Sequence, residues 1–144
     1  MNIKKLHGKD GELVLTHKGT VFARAERFTA ELTEVSALTQ TGRIGVYAVG
    51  TGYRAGLRLN DIYITDEATV DEIMKELDRG VMPEIGFQGK FRRGDGLAER
   101  IVFKNCSLAG ELDYTGLIKG FVWEMNLTAN ELTEEHIGQF KNHG

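Results

Sequence analysis

A chain of 144 residues has the length of one globular domain and is long enough to bury a continuous core. Its 41% hydrophobic and 27% charged residues exclude a disordered polymer, and a formal charge of −3 excludes the overall cationic field that grips nucleic acid by neutralising phosphates. The single cysteine, Cys106, excludes an internal disulfide; Met-Asn-Ile-Lys-Lys leads into no apolar run of signal-peptide length, and no stretch nears the ~20 apolar residues that span a bilayer, so a soluble protein assembled in the cytoplasm is expected.

Glu12–Thr16 is a short β-rich run, and Lys18-Gly19 makes a tight turn into a longer strand, Thr20–Thr33. In that strand Val21, Ala23 and Ala25 share one parity while Phe28, Ala30 and Leu32 share the other. A two-residue period permits no such change, so a bulge or strong bend is predicted near Ala25-Glu26. Residues 35–52 keep no consistent period. Among Gln40, Gly42 and Arg43 they carry Val35, Leu38, Ile44, Val46, Tyr47 and Val49, apolar groups too many for a solvated loop unless another surface covers them.

Alternation returns over Tyr53–Thr65, with Tyr53, Ala55, Leu57 and Leu59 on one face and Arg54, Gly56, Arg58 and Asn60 on the other. A helix follows at Thr69–Arg79: Thr69 and Glu72 form a capping box, Val70, Ile73, Met74 and Leu77 an apolar stripe, and Gly80 stands at the C-terminal end. Pro83 opens a strand region through Phe91, Arg92–Gly96 reads as a turn, and Glu99–Leu108 is β-rich. In Leu117–Leu127 the odd positions Leu117, Phe121, Trp123, Met125 and Leu127 face one way, interrupted by Lys119. A polar tail with one short helical turn closes the chain. Together these give a mainly β domain over residues 1–144, a sandwich or barrel of about seven antiparallel strands with one flanking helix. The eighteen glycines against one proline suggest bends and close backbone approach within it.

Few residues suggest chemistry. Gly50-Thr51-Gly52-Tyr53-Arg54-Ala55 matches the dinucleotide-binding pattern in letters, but a strand rather than a helix follows it. His7, His17, His136 and His143 lack metal-ligand spacing and read as surface residues; Cys106 reads as a small buried hydrophobe. Asp66-Glu67 and Asp71-Glu72 sit where a helix N-terminus favours negative charge. The sequons at Asn105 and Asn126 fall inside β-runs, Arg93-Gly94-Asp95 is turn chemistry, and the basic trio Lys90, Arg92 and Arg93 reads as a solvated hairpin tip. No catalytic, cofactor-binding or metal-binding constellation emerges, and the expectation is a protein that is not an enzyme. What remains is the 35–52 segment, which reads as an interface element.

The order of these features resembles the tail-tube proteins of contractile phages, in particular the PBSX-type prophage family that includes the tubes of R-type bacteriocins. The resemblance rests on Gly8-Lys9-Asp10-Gly11-Glu12-Leu13 at the first strand, Phe28-Thr29-Ala30-Glu31-Leu32 before the loop, Gly42-Arg43 and Val49–Gly56 in the loop and its exit, the helix, Gly96–Val102, and the closing Phe121–Leu127 strand. It implies a sandwich with a flanking helix that assembles into hexameric rings, which stack as a hollow conduit inside a contractile sheath. It also implies partners: other copies of the chain, and sheath, tape-measure, baseplate and tail-terminator proteins. DNA would make passive contact in the lumen, without specific recognition. The 35–52 segment would then reach neighbouring subunits, and Arg54, Arg58 and Asn60 would line the lumen or, alternatively, an outer face meeting the sheath. The tube of a type VI-like injection system and a small β-barrel ligand-binding module are the competing readings.

Overall fold

The computed structural model describes residues 3–9, 11–34 and 52–143. Its elements, in chain order, are β1 (Ile3–Gly8), β2 (Leu13–His17), β3 (Thr20–Glu34), β4 (Tyr53–Ile64), α1 (Glu67–Asp78), β5 (Ile85–Arg92), β6 (Ala98–Ala109), α2 (Tyr114–Lys119), β7 (Phe121–Ala129) and α3 (Glu134–His143). The β2–β3 turn is the one expected: Lys18 and Gly19 both take positive φ, 50° and 83°, the backbone that joins twisted strands through two residues.

All pairings are antiparallel, and β3 organises them. One of its edges pairs with β4 from Ala23 to Glu34; the other is shared, Thr20–Ala25 taking β2 and Phe28–Thr33 taking β1. Because β2 continues through β5, β6 and β7 back to β4, the hydrogen-bonded circuit closes on β3, and the arrangement is a barrel with β1 laid beside it. Closure places alternate side chains in one interior. Phe22, Phe28, Phe87, Phe91, Phe103 and Phe140 are all nearly inaccessible within a single apolar cluster, and Phe28 meets Phe87 edge to face at 4.9 Å.

The parity change expected in β3 is present, and two neighbouring strands share it. Ala25 and Phe28 are both inward, as are Ile62 and Leu59 on β4 and Val122 and Met125 on β7. Register is the same on both sides, Ala25 facing Ile62 and Val122 facing Ile62 before the break, Arg27 facing Asn60 and Asn60 facing Glu124 after it. A bulge adds a residue to one strand only, so this is a bend, a crease across three strands that turns the doublets Glu26-Arg27, Asn60-Asp61 and Trp123-Glu124 away from the core. Asp61 takes φ 54° at the fold line and pairs with Arg27 at 3.2 Å.

The crease corrects the reading of the last strand. Val122 is buried and Trp123 is 70% exposed, the reverse of the expected alternation. Leu117 belongs to α2, a short helix whose N-terminus is capped by Asp113 accepting from Gly116 N at 2.8 Å and which ends at Gly120, φ 91°. Among the described residues there are thus three helices where one was expected. In α1 the cap is Asp66 and not Thr69: its carboxylate accepts from Ala68 N (3.1 Å), Thr69 N (3.4 Å) and Thr69 Oγ1 (3.0 Å). The α1 stripe packs as expected, Val70 and Ile73 buried and Met74 and Leu77 against the core, and Gly80 takes φ 75° just past the end. The polar tail is a ten-residue helix, α3, that buries Ile137 and Phe140. Strand β1 is a further element absent from the sequence reading. Among the described residues no helix is long and apolar enough to cross a membrane.

Candidate interaction surface

The outward face of β1, β3, β4 and β7 beyond the crease is assembled row by row through the ladders. Lys5 stands beside Glu31, Glu31 beside Gly56 and Gly56 beside Thr128; His7 stands beside Thr29, Thr29 beside Arg58 and Arg58 beside Asn126; Thr33 stands beside Arg54. Gly56 leaves the middle of the first row without a side chain, and the sheet curves, so these residues, His7 apart, line an open trough of about 610 Å³. Its charges are paired loosely, Lys5 with Glu31 at 3.8 Å and Arg58 with Glu124 at 3.6 Å, with every partner well exposed. Such pairs contribute at most about 1 kcal/mol each, so the trough is a hydrated wall of mixed charge and not a preorganised pocket.

The predicted face residues therefore divide. Arg54 and Arg58 line the trough, whereas Asn60 is half-buried at the crease and donates from Nδ2 to the carbonyl of Trp123 at 3.5 Å. Val35, Leu38, Gln40, Gly42, Arg43, Ile44, Val46, Tyr47 and Val49 lie outside the described residues. The strand ends that bracket them are paired, Glu34 facing Tyr53, so the segment leaves from one end of this same sheet.

On the other side of the crease lies a surface that sequence reasoning missed. Tyr63 (47% exposed), Phe121 and Trp123 form a chain of rings with centroids 5.0 and 5.2 Å apart, and Ile118 of α2 is 75% exposed. Large apolar groups clustered in water mark contact surfaces. The available signal was the polar doublet repeated in the neighbouring strands, which places Trp123 outside.

The remaining candidates resolve as packing or turns. Cys106 is buried, and burial foremost, with the charge of Glu131 behind it, pushes its thiol up to about 12, so it is a poor nucleophile. Arg93 pairs with Asp95 at 2.7 Å and Arg92 donates to the carbonyl of Gly96 at 2.9 Å, which ties the β5–β6 hairpin tip together. The expectation of surface histidines fails for two. His136 accepts at Nδ1 from Thr133 N (3.1 Å), its own N–H donates to Thr133 Oγ1 (3.2 Å), and its Nε2 donates to Val102 O (2.6 Å), a capping box with imidazole in place of carboxylate. His17 is buried at the end of β2, against Glu76 of α1, and Lys18 bonds Glu72 at 2.9 Å. That hydrogen bond is the largest cause holding the Lys18 ammonium above, and the Glu72 carboxyl below, their ordinary ranges. No family model and no curated protein matches the chain.

Proposed function

We propose that this chain is the tube-forming subunit of a contractile phage tail or an R-type bacteriocin, assembling through its own surfaces into hexameric rings that stack as a hollow conduit. The observation that carries the reading is the concave polar face holding Arg54 and Arg58, four strands wide, at whose end the 35–52 segment is rooted. In a ring, that face lines the channel, where mixed, hydrated charge lets DNA or ions pass without gripping them. The exposed rings of Tyr63, Phe121 and Trp123 supply apolar contact between subunits, and β1, paired on one edge only among the described strands, offers backbone groups for joining sheets. The 35–52 segment makes the contact between stacked rings.

Deleting Gly42–Gly50 tests the assignment. The expected product keeps the circular dichroism and unfolding midpoint of the parent but sediments as rings or monomers and never as tubes. Tubes of unchanged length from the deletion protein would overturn the role given to the segment.

A further inference from the structure

His17 and two carboxylates of α1 meet in a way that leaves a lone pair opposite a lone pair. The Nδ1 atom of His17 lies 2.9 Å from the carbonyl oxygen of Glu84. A carbonyl only accepts, so Nδ1 carries the hydrogen and donates, and in the neutral ring Nε2 is left as an acceptor. That Nε2 faces Oε2 of Glu76 at 3.2 Å, with the two side chains only 1% and 9% exposed. Neither atom has a hydrogen-bond partner. Two acceptors facing each other out of water is an unfavourable arrangement, and a positive group between them relieves it. Lys18 does not fill that place. Its ammonium reaches the other oxygen of Glu76 at 3.3 Å and Oε1 of Glu72 at 2.9 Å. Glu72 precedes Glu76 by one helical turn on the same face, and the ligand atoms of His17, Glu72 and Glu76 all lie within 4.8 Å of one another.

We propose that His17 Nε2, Glu76 and Glu72 form a binding site for a divalent cation of the zinc class, with water completing the coordination. Three observations select that class. One imidazole and two carboxylates form a nitrogen–oxygen set that suits zinc better than magnesium or calcium, which take oxygen alone. Around a tetrahedral ion with bonds of about 2.0–2.1 Å, neighbouring ligand atoms stand ~3.3 Å apart, close to the 3.2 Å between Nε2 and Oε2. The Nδ1–H to carbonyl bond is the usual outer partner of a metal-bound imidazole, because it fixes the tautomer and orients the ring. Lys18, whose side chain is 60% exposed, acts as the stand-in counter-ion that swings into water when the cation arrives. The bound ion would fasten the β2–β3 hairpin to α1.

The full chain, stripped with chelator, is titrated with Zn²⁺ by calorimetry, followed by thermal unfolding and by ¹⁵N spectra of the histidine rings. The expected result is one ion per chain, a raised melting temperature that equimolar Mg²⁺ does not reproduce, and a shift confined to Nε2 of His17. Glu72→Gln weakens binding by about tenfold or more, and Lys18→Met, which removes the competing ammonium, tightens it. Both positions are exposed, so both variants fold; His17→Gln abolishes binding where it folds. Absence of Zn²⁺ binding, or binding indifferent to both exposed substitutions, overturns the proposal. So does a His17 ring that carries protons on both nitrogens in the stripped protein and keeps them when Zn²⁺ is added, since a proton then holds the pair together.

Discussion

Trp123 separates the fold from the assembly. It is 70% exposed, so for a side chain of ~200 Å² about 140 Å² is open to cover by a neighbouring subunit in the proposed assembly. At about 25 cal/mol per Å² that cover contributes ~3.5 kcal/mol, which corresponds to an increase of about 300-fold in the critical concentration for assembly when Trp123→Ala removes it. The isolated subunit should lose little, about 0.5–1 kcal/mol, because the side chain's ring meets the edge of Phe121 at 5.2 Å and is otherwise largely exposed. Phe28→Ala provides the opposite case: Phe28 is 2% exposed and packs on Phe87, and its removal should cost about 3–5 kcal/mol of subunit stability. Urea unfolding gives the subunit stabilities, and pelleting of assembled material across a concentration series gives the critical concentration. An unchanged critical concentration for Trp123→Ala, with the subunit folded, would refute the assignment of the aromatic surface to a subunit contact.

Three further outcomes follow from single contacts. Asp66→Ala should lower stability by ~1 kcal/mol through loss of the α1 cap, and Asp66→Asn should recover most of it; an Ala variant equal to the parent in urea would show that the cap contributes nothing. Gly8→Ala should cost about 1–3 kcal/mol, since a Cβ there would overlap the carbonyl oxygen of Lys90 and the Phe28 ring, whereas Gly56→Ala, whose Cβ meets only Leu127 O at 3.8 Å, should change stability by less than ~0.5 kcal/mol. Equal midpoints for the two glycine variants would contradict the packing described. Cys106 should resist thiol reagents in the folded protein. Its folded thiol is raised from 9.0 to about 12, so above pH ~9 the unfolded chain ionises first and stability falls with rising pH, a slope that Cys106→Ala removes.

Much of the barrel could be read from alternation, because the closed circuit buries one face of every strand. The Lys18-Gly19 turn, the α1 stripe and the break near Ala25-Glu26 are all direct consequences of local pattern. The misses arise where pattern crosses a discontinuity. Reading Leu117–Leu127 as one strand carried its parity through the left-handed Gly120 and over the crease, which put Trp123 inside; yet Asn60-Asp61 repeats the polar doublet already visible at Glu26-Arg27, and Trp123-Glu124 stands at the same place in the next strand. Strand β1 buries only Leu6 and Gly8, and because glycine has no side chain its alternation leaves no apolar pattern in the sequence. Helix α3 begins with a box in which His136 stands where glutamate is expected, which hid its start. The trough required ladder register, since Lys5, Glu31, Arg58 and Asn126 come from four strands. The His17, Glu72 and Glu76 cluster is equally remote in sequence, and the i, i+4 pair of glutamates was its one legible part.

The proposed function places self-assembly around the polar face. Electron microscopy of the concentrated protein tests it most directly. The account predicts six-fold rings or tubes about 10 nm wide, with Arg54 and Arg58 facing the channel. A chain that stays monomeric at every concentration and in the presence of tail partners, or a tube whose channel is lined by another face, would contradict it.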